Sequence, residues 1–170
     1  VTNTVIIAID PGASGAIAIF ADGQPAAVHD MPTMPRKASG QEVNGAALAD
    51  LLRDVRRNNS GASFSAVVEL VHARPAGLGG VRAAGNSSSF RFGEALGVVK
   101  GVLAALGIAR TDVTPQAWKR RYGLSGADKD VSRTRAIELW PALADRLARK
   151  KDDGRAEALL IGAFWIARET

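Results

Sequence analysis

A chain of 170 residues, 46% of them hydrophobic, can bury one core and hardly two, so a single domain over residues 1–170 is expected. Lys and Arg outnumber Asp and Glu by 22 to 17, a formal charge of +5 that favours an anionic partner, with nucleic acid the leading candidate. Cysteine is absent, which excludes disulfides, thiolate metal sites and a cysteine nucleophile. No apolar run nears the roughly 20 residues that span a bilayer, and the first ten residues lead straight into a strand with no signal-peptide layout, so the expectation is a soluble protein with no membrane partner.

Residues 5–9 (VIIAI) are a continuous apolar, β-prone run ending in Asp10-Pro11-Gly12, the pattern of a strand buried on both faces. Then GAIAIF (15–20), ADG (21–23) and PAAVHD (25–30) predict strand, tight turn and strand, an antiparallel meander. Residues 31–43 are expected to be a polar connector. Leu48, Leu51, Leu52 and Val55 recur at helical spacing between Asn44 and Arg57, and NNSG (58–61) stops that helix. SAVVELV (65–71) is a second short apolar run with an acid inside it, and the stretch 72–89, rich in glycine and serine, is expected to be a mobile loop. A helix from about Phe90 to Leu106 carries Ala95, Val98, Val99, Val102 and Leu106 on one face; TDVT (111–114) is an edge strand, Pro115 opens another helix, and the remainder is helical. This order predicts an α/β fold with one five-stranded mixed sheet flanked by helices.

Four acids stand out. Asp10 closes the first strand, where open α/β sheets usually bind ligands, although an Asx turn before Pro-Gly uses the same residue. Glu69 lies in an apolar run, where an ionised carboxylate costs several kcal/mol unless it is paired; an arginine partner or an early strand end is the plain alternative. In the last helix Asp153 and Glu157 are four residues apart, about 40° around the axis, and share a face, whereas Asp152 is about 140° from Glu157. Acids there also complement the helix dipole with no further role. If the four converge, their mutual repulsion requires protons or cations, and all-oxygen ligands select Mg²⁺ or Mn²⁺, the ions of metal-assisted phosphodiester hydrolysis. The neighbouring Lys150, Lys151 and Arg155 then hold phosphates.

IAIDPGASGAIAIF, VVELVHARP, FRFGEALGVVKG, PQAWKRRYGLSG and KKDDGRAEALLIGAFW, in this order, resemble the RuvC-like Holliday junction resolvases of the RNase H fold, in particular the bacterial and chloroplast branch with a Lys-Asp-(His/Asp)-Gly-Arg-Ala-Glu-Ala-Leu-Leu last helix. The resemblance covers nearly the whole chain. It implies a crossover junction endodeoxyribonuclease in which Asp10, Glu69, Asp153 and Glu157, on the first strand, the fourth strand and the final helix, bind Mg²⁺, with Mn²⁺ as a substitute. Chloroplast relatives carry histidine at the position of Asp153, so the choice between Asp152 and Asp153 stays open. Lys129 in SGADKDVSR matches a lysine near the scissile phosphate; by pattern alone it is a solvated lysine in a charged turn.

The stretch from Arg74 to Arg91 falls where such resolvases meet the junction centre, placing Arg74, Arg82 and Arg91 near phosphates or bases. Core packing is the expectation for Phe90 and Phe92, with base stacking the alternative. Lys119, Arg120 and Arg121, beside Trp118 and Tyr122, form a basic helix suited to a DNA groove, with core packing expected for Trp118. His29 and His72 are the only histidines; His72, three residues past Glu69, is read as a solvent or turn residue, with reach to the site as the alternative, and no Ser-His-Asp triad has convincing spacing. The resemblance implies four-way junction DNA as substrate and a homodimer that makes paired symmetric nicks, with the helices around 90–106 and Trp140 as candidate dimer faces. It implies a bacterial or phage cytoplasmic setting, or a chloroplast stroma, and names no helicase partner. The alternatives are a nuclease of the same fold acting on flaps, RNA–DNA hybrids or duplex, an actin-like ATPase or kinase domain, and a non-catalytic DNA-binding module.

Overall fold

A computed structural model describes residues 3–37, 39–70 and 86–169, without the side chains of residues 86–88 and Lys129. Strands β1 (Thr4–Asp10), β2 (Ala16–Ala21) and β3 (Gln24–Asp30) form the expected antiparallel meander. Residues 31–43 differ from the expected connector, because Thr33–Pro35 (β4) and Gln41–Val43 (β5) pair as a small hairpin. Helix α1 (Gly45–Asn58) follows, its first turn capped by the Asn44 side chain, which accepts from the Ala47 amide at 3.1 Å. Then come β6 (Ser63–Glu69), α2 (Asn86–Ala105), β7 (Ala109–Val113), α3 (Pro115–Arg121) and α4 (Lys129–Leu139). Two 3₁₀ segments, Pro141–Leu147 and Lys150–Asp152, lead into α5 (Asp153–Glu169). Helix α2 starts four residues before the expected Phe90, so residues 86–89 are helical; the rest of the expected loop, 72–85, lies outside the described residues.

The main sheet has the order β3-β2-β1-β6-β7, in which β1 is antiparallel to β2 and parallel to β6, and β6 is parallel to β7. The expected five-stranded mixed sheet and the edge position of the strand near residues 111–114 are both present. Side chains alternate across a strand, and here the alternation feeds two cores. Val5, Ile7 and Ile9 of β1, Ile17 and Ile19 of β2, and Ala66 and Val68 of β6 pack with Leu48, Leu52, Val99 and Leu103 of α1 and α2. Ala8, Ala16, Ala18, Phe20 and Val67 pack on the opposite face with Trp118, Ala136, Leu159 and Leu160 of α3, α4 and α5. With both faces covered, the strands can be apolar throughout, which is why VIIAI shows no alternation.

Helix α5 sits unusually close to this second face. A Cβ at Gly154 would lie 2.5 Å from the Ser14 carbonyl oxygen, and one at Gly162 would lie 2.2 Å from Phe20 Cε2. Two side-chain-free positions thus let α5 press its N-terminal turn against the loop that follows β1. That close approach brings the acids of α5 to the end of the sheet where Asp10 lies.

Candidate active site

Asp10 and Glu69 are the last residues of neighbouring parallel strands, and the register Ile9↔Val68 sets them side by side. Asp10 shares the parity of Ala8, and Glu69 that of Val67, so both belong to the face covered by α5. Glu69 is 6% exposed and accepts a hydrogen bond from Trp118 Nε1 at 2.8 Å. Burial raises its pKa above the ordinary carboxylate value; the indole pulls it down, the charge of Glu157 pushes it up and Lys119 pulls it down. Glu157 therefore acts on Glu69 across the gap between α5 and β6.

On α5, Glu157 Oε1 is 3.3 Å from Lys119 Nζ, and Asp153 Oδ1 is 3.4 Å from Arg133 Nε. Neither Asp153 Oδ1 nor Arg133 Nε makes a hydrogen bond, although both atoms are buried. Asp152 does something else. Its side chain, 1% exposed, accepts from the Arg149 backbone N–H at 2.8 Å and from Arg149 Nε and Nη2 at 2.9 and 2.6 Å. These hydrogen bonds from Arg149 outweigh desolvation and hold the Asp152 carboxyl below its ordinary pKa. Asp152 is thus a capping and ion-pairing residue of the turn before α5, while Asp153 faces α4.

The expected phosphate-holding cations are distributed unevenly. Lys150, Lys151, Arg120 and Arg121 are exposed. Arg91, also exposed, lines a cavity of about 340 Å³ together with Phe92, Met34 and the Gly12–Ala13 turn. Lys119 is held by Glu157 and lies 5.0 Å above the Trp118 ring. Arg155 differs from the expectation: its Nε donates to Asp30 Oδ1 at 2.6 Å and its Nη1 to the Arg146 carbonyl at 3.1 Å, so its guanidinium ties α5 to the end of β3. Phe90 departs from its expected core position and is 71% exposed, whereas Phe92 packs against the α1–α2 core. Arg74, Arg82, His72 and the side chain of Lys129 lie outside the described residues. His29 is half-buried, with a pKa lowered by burial and by Arg155 and Arg146, and belongs to the β3 side of the sheet.

Two participants carry no motif of their own in the sequence. Trp118 is in the core as expected, and its indole N–H also orients Glu69; that a buried tryptophan needs an acceptor is the signal the sequence offers. Arg133, one of three basic residues near the start of α4, carried no distinguishing pattern. The donor set suits a hard divalent ion by chemistry, being carboxylate oxygens only, and Asp153 Oδ1 is a buried oxygen without a hydrogen bond. Among the described residues, however, no three Asp, Glu or His side chains are drawn together as a ready metal cage. The residue types fit such an ion, while Trp118, Lys119 and Arg133 contact the acids directly.

Five strands in this order, with α5 packed over the end of β1, give the chain a fold it shares with solved RuvC structures. It superposes on Thermus thermophilus RuvC in complex with Holliday junction substrate with a TM-score of 0.57 at 16% identity, covering 98% of this chain and 96% of that one. A second Thermus thermophilus RuvC structure gives a TM-score of 0.51 at 15% identity, with the same coverage. In sequence, the chain is 32% identical over 150 residues to the chloroplastic Holliday junction resolvase MOC1 of Chlamydomonas reinhardtii, a match covering 81% of this chain. The chain spans only 17% of that relative's length. No family model matches. Among the described residues, no helix is long and apolar enough to cross a membrane.

Proposed function

We propose that this chain is a metal-dependent endodeoxyribonuclease that nicks four-way DNA junctions, with Asp10, Glu69, Asp153 and Glu157 as its metal-binding acids. The observation that carries this reading is the adjacency of Asp10 and Glu69 at the ends of β1 and β6, on the face covered by the helix that bears Asp153 and Glu157. The junction substrate is supported by the likeness to the chloroplastic resolvase MOC1 and to RuvC in complex with a junction.

Mg²⁺ is the proposed cofactor, with Mn²⁺ as a substitute; when bound, such ions supply an activated water and stabilise the leaving oxygen of the phosphodiester. The chain's own residues do the rest. Burial of Glu69 lowers the dielectric around the acids and strengthens every charge interaction there. Trp118 fixes one Glu69 oxygen, and the second is the proposed metal donor. Exposed Arg120, Arg121, Lys150 and Lys151 attract the phosphates, and Lys129 and Arg91 are further proposed DNA contacts, with Arg74 and Arg82 on the segment beyond β6. Paired symmetric nicks need two copies of the site, so a homodimer is proposed. The setting proposed is bacterial or phage cytoplasm, with a chloroplast stroma as the alternative favoured by the algal relative.

The test compares initial nicking rates in Mg²⁺ on a four-way junction, a flap, an RNA–DNA hybrid and a linear duplex of matched sequence. Preferential, symmetric nicking of the junction is expected. A faster rate on flap or hybrid would assign the same chemistry to a different substrate, and junction binding with no nicking in Mg²⁺ or Mn²⁺ would make the chain a binding module.

A further inference from the structure

The acids of the site differ sharply in how firmly they are held. Asp152, outside the site, has three hydrogen bonds of 2.6 to 2.9 Å from Arg149. Glu157 has one contact from Lys119 Nζ, at 3.3 Å, and that lysine is one-third exposed. Asp153 has Arg133 Nε at 3.4 Å with no hydrogen bond made, and Arg133 also donates from Nη2 to Asp130 at 3.0 Å. Both cations come from the layer facing α5: Lys119 from α3 and Arg133 from α4. Among the described residues the acids do not form a closed cage. Carboxylates that repel one another turn to the nearest positive charge when no ion stands between them.

We propose that Lys119 and Arg133 are the site's own counter-ions: they hold Glu157 and Asp153 in the metal-free protein and are displaced when a divalent cation binds. This rests on the reading of those two acids as metal ligands and adds what sets their affinity. A loosely held cation is a competitor that the metal must move aside, so these two side chains weaken metal binding by the free protein. Once displaced, Lys119 is left as a cation at the edge of the site, available to a phosphate, while Arg133 keeps its hydrogen bond to Asp130. Lys119 and Arg133 are positioning residues in this account, since they act through the acids.

The experiment is calorimetric titration of Mn²⁺ into the DNA-free chain. Lys119→Gln and Arg133→Gln should each bind about 5- to 10-fold more tightly than wild type, the factor expected for losing one partly screened charge pair, and the double variant more tightly still. Lys119→Arg, which keeps the charge, should match wild type. In EDTA the double variant should melt lower than wild type, yet its melting temperature should rise further on adding Mn²⁺. Wild-type or weaker affinity in both charge-removing variants would overturn the counter-ion role, while loss of binding in Asp153→Asn and Glu157→Gln would leave the acidic site standing. If those two acid variants bind Mn²⁺ like wild type, the metal site itself is refuted along with the proposal.

Discussion

The indole Nε1 of Trp118 donates to Glu69 Oε1 at 2.8 Å, in a place where Trp118 is fully buried and Glu69 almost so. A carboxylate at the end of a central strand is thereby held in a fixed orientation by a residue of α3. Trp118→Phe keeps an aromatic ring but leaves that oxygen buried without its donor. The expected cost is about 1–3 kcal/mol for the unsatisfied group, before any cavity term, measured by urea denaturation in EDTA.

Asp152 and Asp153 are adjacent in sequence and opposite in role. Asp152→Asn weakens its hydrogen bonds with Arg149 and should cost about 1–3 kcal/mol of stability while retaining nicking where the protein stays folded. Asp153→Asn should leave the melting temperature nearly unchanged and lower junction nicking on the order of 100-fold or more, the consequence of losing several kcal/mol of transition-state stabilisation. Melting curves and single-turnover rates on the same two variants separate the roles.

The closeness of α5 to the β1–β2 turn is testable by a single methyl group. Gly154→Ala places a Cβ 2.5 Å from the Ser14 carbonyl oxygen, a backbone atom that has to move. The clash should cost about 1–3 kcal/mol and shift Asp153 relative to Asp10, lowering the nicking rate. Gly97→Ala in α2, where a Cβ meets nothing within 4 Å, should instead stabilise by about 0.5–1 kcal/mol through helix propensity. Thermal melts of the two alanine variants should therefore move in opposite directions.

Asp30 ties β3 to the start of α5 through Arg155, whose hydrogen bond holds the Asp30 carboxyl below its ordinary pKa. A carboxylate with a folded pKa below the unfolded one contributes stability above the unfolded value, near 3.8, and loses it as the pH falls through the folded value. Wild-type stability should thus decline on acidification below about pH 5, more steeply than that of Asp30→Asn. Because Asp30 is half exposed, the difference should be modest. Equilibrium denaturation between pH 3 and 7 on both proteins measures it.

The strands of the main sheet were legible because VIIAI, GAIAIF and SAVVE are short apolar runs bounded by turn residues, and burial on both faces suits that composition. The β4–β5 hairpin was not legible: PTMPRKASGQEV is polar, carries two prolines, and pairs over only three residues on each side, too short for any period to show. The shared face of Asp153 and Glu157 followed from helical spacing, and the divergence of Asp152 from the same arithmetic. What spacing could not supply were the partners. Arg155 looked like a free cation beside the acids until β3 brought Asp30 against it from 125 residues away. Arg133 and Trp118 reach the acids only through the packing of α3 and α4 on α5, which no local pattern encodes. Glu69 lies within an apolar run of the sequence, yet β6 ends at it, so its carboxylate is buried at the C-terminal end of an interior strand.

If acids from β1, β6 and α5 act as one metal site on a DNA junction, removing the Asp10 carboxylate abolishes the chemistry and spares binding. Nicking of a four-way junction in Mg²⁺ should be readily measured for the wild-type chain and abolished in Asp10→Asn, while both bind the junction with equal affinity in EDTA. Nicking by Asp10→Asn at the wild-type rate would contradict the account.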